Sequence, residues 1–372
     1  MSNGNTVVDY EALEDAPRLL MEAKLKPLQG DCFQPTGFAD LGPARYTAPR
    51  RPKGWKEGDD PDAWENVEML LVESVQSVAN RMELACCADD RRTLIPELDG
   101  LPHVRSKQVG EIMTASYLEA HRLSSPYLLN DVWAKKLAQE MKLRDNFSLN
   151  DKAISRTLFK YDPASLVHGV WLSLKQYKVH FSGGRVRVLR SLSGFIEAEG
   201  VSPAEHGGTK FDKNRARSEK NKDAEEGYGT LPFHRTYFVA KEIKAYFNLD
   251  LALLRGYGLP DEATKLLIAL SLFKIRRFLS TGLRLRTACD LELDGDLTVT
   301  RPSRFVLPGE VKLLGECRRL IGQCKSHFAD PAITEVMWEP GKNSGGEGNK
   351  GEETSEENEG AAEAENDEDN DK

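Results

Sequence analysis

KIRRFLSTGLRLRTACDLEL, residues 274–293, joins the end of an apolar helix to an alternating stretch. Leu283, Leu285, Thr287, Cys289, Leu291 and Leu293 fall on one face of a period-2 strand, and Arg284 and Arg286 fall on the other. The preceding segment, Asp261 to Leu279, has helical apolar spacing, ends in Lys274, Arg276 and Arg277, and meets Gly282, a residue suited to a left-handed C-cap. A helix feeding a strand with one core face and one cationic face points to an α+β fold in which something anionic meets the cations.

Further elements follow outward from this junction. Residues 18–26 alternate as a first strand, and a long Gly- and Pro-containing loop follows. Asp62 and Glu65 have capping-box spacing, and Trp64, Val67, Leu71, Val75, Val78, Met82 and Cys86 form an apolar stripe, so a helix is expected over 62–86 with Gln76, Ser77, Asn80 and Arg81 off that stripe. Residues 111–129 read as extended and 132–142 as helical; 162–174 fits either state. A turn at Gly183 and Gly184 leads into a strand with Arg185 and Arg187 on one side. Residues 200–230 carry six bases and few apolar groups, as a mobile insertion would. RTYFVAKEIKAYF (235–247) reads as a helix, and a last helix is expected from about Val311 to Phe328. The order β, α, β, insertion, β, α, β is that of a ferredoxin-like or RRM-like core elaborated by insertions.

The formal charge of -8 is unevenly distributed. Residues 340–372 hold 12 acids against 3 bases, which leaves the rest of the chain nearly neutral. That tail lacks aromatic and β-branched apolar residues, so it is expected to be disordered, and residues 1–339 to form a single body. Scattered cysteines, the absence of an apolar leader and the absence of a membrane-length apolar run point to a reduced, cytoplasmic protein. Cys317, Cys324 and His327 lie near one another, but Val311, Leu314, Cys317, Ile321, Cys324 and Phe328 trace one helical face, which favours core packing over metal binding.

Lys274, Arg276, Arg277, Arg284, Arg286, Arg185 and Arg187 are candidates to neutralise phosphates, with Arg122, His234 and Arg235 as further contacts. No RNP-type aromatic motif accompanies them, so the expectation is backbone tracking rather than base reading. GxGxxG, P-loop and HExxH motifs are absent, and the seven histidines show no metal or triad spacing. His121 and His234, each followed by an arginine, are the candidate general bases if the chain cleaves RNA through a 2′-hydroxyl.

Six blocks carry a family resemblance: CFQPTGFADLGPARY (32–46), LLVESVQSVANRME (70–83), SYLEAHRLSSPYL (116–128), RSLSGFIEAEGV (190–201), LPFHRTYFVAKEIKAYFNLDLALLRGYGL (231–259) and STGLRLRTACDLEL (280–293). In this order they resemble the backbone RAMP subunit of type I CRISPR effector complexes, in particular the subtype once called U and now G. The resemblance implies an RRM-like palm with helical insertions and a thumb-like insertion. It also implies a non-catalytic protein without cofactor or metal, which multimerises along CRISPR RNA beside other Cascade subunits and supports guide pairing with target DNA, away from any membrane. Carried onto this chain, the RNA contacts of the family point to Gln34, Thr36, Gln76, Ser77, Asn80 and Arg81, and to the segment comprising Ser280, Thr281, Gly282, Arg284 and Arg286. The alternatives are a RAMP endoribonuclease processing precursor CRISPR RNA and a general RNA-binding protein.

Overall fold

A computed structural model describes residues 7–38, 40–88, 90, 92–144, 151–174, 177, 179, 181, 185–210, 231–281 and 283–338. The acidic tail, Gly183, Gly184, Gly282 and most of the basic insertion lie outside them. The first half holds strands β1 (Arg18–Pro27), β2 (Gly37–Phe38), β3 (Gly42–Pro43), β4 (Arg45–Arg50) and β5 (Glu65–Glu73), helix α1 (Val75–Leu84), and strands β6 (His103–Gln108) and β7 (Glu111–Ala115). Helices α2 (Asp131–Glu140), α3 (Asp151–Tyr161) and α4 (Ala164–His168) follow, then β8 (Val170–Leu172) and β9 (Val186–Val188). The second half holds β10 (Leu192–Lys210), β11 (Leu231–Asp250), α5 (Leu251–Gly256), α6 (Asp261–Ser280), β12 (Arg284–Arg286), β13 (Cys289–Leu293), β14 (Thr298–Arg301), α7 (Glu310–Cys324) and β15 (Ile333–Met337).

The fold is mixed α+β. Its main sheet runs β12-β13-β1-β11-β10-β5-β4, with β14 also on β1. In its centre, β13-β1-β11-β10 are antiparallel neighbours. Chain order gives β1, α1, β10, β11, α6, β13, so α1 lies within the first crossover and α6 within the second. Helix α6 is buried along most of its length, from Ala263 to Leu279, because it contacts α1, α4, α5, α7 and the sheet. Cys317 and Cys324 face inward from α7 as core residues. The segment between α1 and β10 adds α2, α3, α4 and the small hairpin β8–β9, while β15-β6-β7 form a separate sheet.

Three sequence expectations are corrected. Residues 65–73 form a strand, and the helix starts only at Val75, where the Ser74 side chain accepts from the Ser77 amide at 3.2 Å. The i, i+3/4 stripe before Ser74 was fortuitous; Met69, Leu70 and Val72 are buried because β4 and β10 pair with this strand on either side. Residues 235–247 are also strand. Their Ala, Lys and Glu residues favour a helix locally, but Ile243, Ala245, Phe247 and Leu249 alternate inward between β1 and β10, and pairing on both edges overrides propensity. Residues 283–293 fold back as the hairpin β12–β13, with Leu283 (φ 43°) and Ala288 (φ 57°) in left-handed conformations. Leu283, Leu285, Cys289 and Leu291 remain buried, so the core face was legible although the fold-back was not. A smaller difference concerns 111–129, where the strand ends at Ala115 and a 3-10 turn occupies Arg122–Ser124.

Candidate nucleic-acid interface

Helix α1 has two faces of different chemistry. Val78, Ala79, Met82 and Glu83 are buried; Gln76 is exposed, and Ser77, Asn80 and Arg81 are half-buried. The Ser74 cap sets the helix N-terminus, so the Gln76–Ser77 turn presents amide and hydroxyl groups at its positive end.

One flank of α1 is tied to the β12 hairpin through Glu73. This carboxylate, with a side chain 2% exposed, meets Arg81 Nε at 3.4 Å through one oxygen and Arg286 through the other. Arg81 also donates to the carbonyls of Arg284, at 3.2 Å, and Leu285, while Arg286 donates to the Gln34 carbonyl at 3.0 Å. The strap containing Gln34 and Thr36 is held by its main chain: Gln34 N donates to Ala288 O at 2.9 Å, and Thr36 N to Val72 O at 3.3 Å. Gln34, Thr36, Gln76, Ser77, Asn80, Arg81, Arg284 and Arg286 are thus gathered around one helix and its neighbouring hairpin. Arg284 alone of this group's arginines projects freely, with a side chain 80% exposed and Asp290 only at 3.8 Å.

The other flank is built by residues 122 and 190. Arg122 is buried, donates to both oxygens of buried Glu83 at 3.1 and 2.6 Å, and reaches Asn80 Oδ1 at 3.4 Å. Its charge is therefore internal. Arg190, which the sequence reading did not single out, donates from Nε to the His168 carbonyl at 3.1 Å and from Nη2 to the Gln76 side chain. Only the tertiary approach of residue 190 to residue 76 reveals it.

Gly169 makes that approach possible. Its φ of 77° and ψ of 155° belong to a region open to glycine, and an added Cβ would meet Val188 O at 3.0 Å and Arg190 N at 3.1 Å. Gly169→Ala is expected to destabilise the protein by about 1–3 kcal/mol. Thermal unfolding tests this, and an unchanged midpoint would refute it.

The cations ending α6 have partners inside the protein. Lys274 is buried, and its Nζ donates to His168 Nε2 at 2.9 Å. Burial and the adjacent Lys274 charge push the His168 pKa well below its ordinary value, so the ring stays neutral and accepts that bond. Arg276 donates to the carbonyls of Pro308 and Leu307, both at 3.3 Å. Arg277 meets Glu310 at 3.0 Å and the Ala85 carbonyl at 3.4 Å. Ser280 Oγ is 2.6 Å from the same Glu310, and Thr281 Oγ1 donates to the Phe278 carbonyl. This end of α6 fastens the start of α7; its positive charge is spent on carbonyls and one carboxylate. The expectation that Lys274 contacts phosphate is corrected, because it is buried; Arg276 and Arg277 are half-buried and engaged within the protein.

Two remaining groups stand elsewhere. On β8–β9, exposed Arg187 is in register with Trp171, and the exposed Arg185 guanidinium lies 4.7 Å from the half-exposed Trp171 ring. Trp171 is a stacking surface that the sequence reading missed. At the far part of the β10–β11 ribbon, His234 pairs with Glu205 at 2.8 Å and Arg235 is exposed. These two residues do not join the α1 cluster. Among the described residues there is no group of acidic, histidine and cysteine side chains arranged to hold a metal ion, and no helix is long and apolar enough to cross a membrane.

Comparison with known proteins adds a family. The family described as CRISPR-associated protein GSU0053 matches residues 19–203. The chain is similar to a solved chain of a "CRISPR RNA-guided surveillance complex, pre-nicking", at 15% identity over 74% of each chain with a TM-score of 0.37. It is also similar to Csc2 of Thermofilum pendens, at 10% identity over 87% of this chain and 89% of that one, with a TM-score of 0.35. No curated protein matches it.

Proposed function

Because this chain belongs to the family of CRISPR-associated protein GSU0053, we propose that it is a non-catalytic backbone subunit of a type I-G surveillance complex. Several copies bind along one CRISPR RNA, beside other Cascade subunits, and hold the guide for pairing with target DNA. The observation that carries this is the solvent-facing side of α1, where Gln76 and Ser77 stand between Arg190 and the exposed Arg284. Hydrogen-bond donors at a helix N-terminus with flanking guanidinium groups suit a sugar-phosphate backbone and carry no base code. Arg185, Arg187 and Trp171 extend the same chemistry to the neighbouring hairpin through the short connection to Arg190. The connectivity of the four central strands with α1 and α6 is that of a split βαβ core and supports an RRM-like palm. In this assignment the β10–β11 ribbon serves as the thumb-like projection, and His234 and Arg235 contact RNA there.

The test is the Arg187→Glu/Arg284→Glu double variant, chosen because neither side chain holds a buried carboxylate. Its retained RNA should fall for every guide sequence, with the salt dependence of binding shallower by about two counterions. Full-length guide RNA still co-purifying with the variant would sink the assignment. Labelled repeat RNA should be bound without being cut; cleavage abolished by His121→Ala or His234→Ala would instead establish a processing endoribonuclease.

A further inference from the structure

A second concentration of cations lies away from α1, where the end of α2 meets α3. Here Glu140, Lys142, Lys152, Arg156, Thr157 and Lys160 line a cleft of about 330 Å³. Lys152, Arg156 and Lys160 recur every fourth residue and so lie along one face of α3. Like charges at this spacing repel each other and weaken an isolated helix.

Glu140, the acidic residue of the lining, is already committed. Its Oε2 accepts from Lys160 at 2.7 Å and its Oε1 from the Tyr161 hydroxyl at 2.6 Å. Tyr161 is itself buried and packed edge-on against Trp133 with ring centroids 4.8 Å apart, which fixes that pair in place. Glu140 therefore offsets Lys160 and leaves Lys142, Lys152 and Arg156 uncompensated. All three are exposed, and none forms an ion pair with a carboxylate among the described residues. The Lys152 stem runs past Gly258, where a Cβ would come within 3.2 Å of it, so this lysine has a defined seat against the loop before α6.

The geometry points to a second phosphate-binding site, in which Lys142, Lys152 and Arg156 take the phosphodiester backbone of a nucleic-acid strand other than the one along α1. A concave surface with three unmatched cations and a neutralised rim is completed by polyanion, and guanidinium and ammonium groups suit phosphate oxygens. The inference rests on the proposed function only for naming a polynucleotide as the carrier of those phosphates.

The experiment uses the full chain with its retained RNA, and compares wild type with Lys152→Ala/Arg156→Ala. The probe is a short fluorescein-labelled DNA duplex titrated at several salt concentrations. The variant is expected to bind duplex about ten-fold more weakly, with a log–log salt slope shallower by about two, while its retained RNA stays at the wild-type amount. Charge-preserving Lys152→Arg/Arg156→Lys should restore most of the binding. Duplex affinity and slope unchanged in the alanine variant would overturn the site. Loss of retained RNA with duplex binding intact would overturn it too, by assigning the cleft to the guide strand. Wild-type protein that retains no RNA yet shows the duplex effect would count against the guide-holding role and leave the cleft standing.

Discussion

Arg122→Ala is expected to lower the unfolding free energy by about 3–5 kcal/mol, an effect of the buried charge it strands rather than of any lost ligand contact. Arg122 and Glu83 have side chains 4% and 2% exposed, and they meet through two hydrogen bonds at 3.1 and 2.6 Å. Removing the guanidinium leaves a carboxylate inside the protein with no counter-charge, and takes from Asn80 the donor that reaches it from Arg122. A urea titration reads the loss directly. Replacing both partners by apolar residues, Arg122→Met with Glu83→Leu, should recover most of it, because an absent pair leaves no charge unmatched. The outcome also separates structure from binding: RNA retained per folded molecule should be unchanged in Arg122→Ala. A variant of wild-type stability that loses RNA would return Arg122 to the binding surface.

Asp162→Asn should stabilise the protein, increasingly so as the pH rises. Burial pushes the Asp162 carboxyl up to about 7 from an ordinary 3.8, and the Ser165 hydroxyl at 2.7 Å offsets this only in part. Glu83 raises it further, while Lys274 and Arg122 lower it. The sign follows from proton uptake. Below the unfolded value both states are protonated, and the native state loses nothing. Between the two values the unfolded chain ionises while the native carboxyl keeps its proton, so stability declines with rising pH, and above about 7 the full deficit remains. Asparagine keeps a neutral group of the same shape and an oxygen for Ser165. The gain over wild type should therefore grow by on the order of 3 kcal/mol between about pH 5 and about pH 8. His168 acts in the opposite sense, since its depressed pKa removes stability as pH falls below its unfolded value, but it is common to both proteins and cancels in the difference. Parallel stability curves for wild type and variant would show that Asp162 is ionised in the native protein.

These two buried networks lie beneath the proposed RNA-facing surface. Asn80 is joined to Arg122, the His168 carbonyl to Arg190, and Arg190 to Gln76. Interior charges thereby position the polar groups on α1. This distinguishes variants that unfold the protein from variants that only weaken its grip: changes at Glu73, Glu83, Arg122 or Lys274 belong to the first kind, and changes at Gln76, Arg187 or Arg284 to the second.

What the sequence determined by itself was local. Strand β1, helices α2, α6 and α7, and the buried side of 283–293 follow from periods of 2 and 3.6, because burial on one face imprints that repeat on the residues. The separation of Gln76, Ser77, Asn80 and Arg81 from the apolar stripe was equally plain. Tertiary structure decided the state of 65–73 and 235–247, where pairing with strands from distant parts of the chain outweighs helix propensity. It also decided the fate of each cation. A lysine or arginine reads the same in sequence whether it faces water or a carboxylate elsewhere in the fold: Arg286 meets Glu73, 213 residues away along the chain, Arg277 meets Glu310, and Arg284 projects into solvent. Coulombic pairing acts over a few ångströms of space and is indifferent to separation along the chain, so only the folded arrangement distinguishes a charge that is matched within the protein from one available to a phosphate.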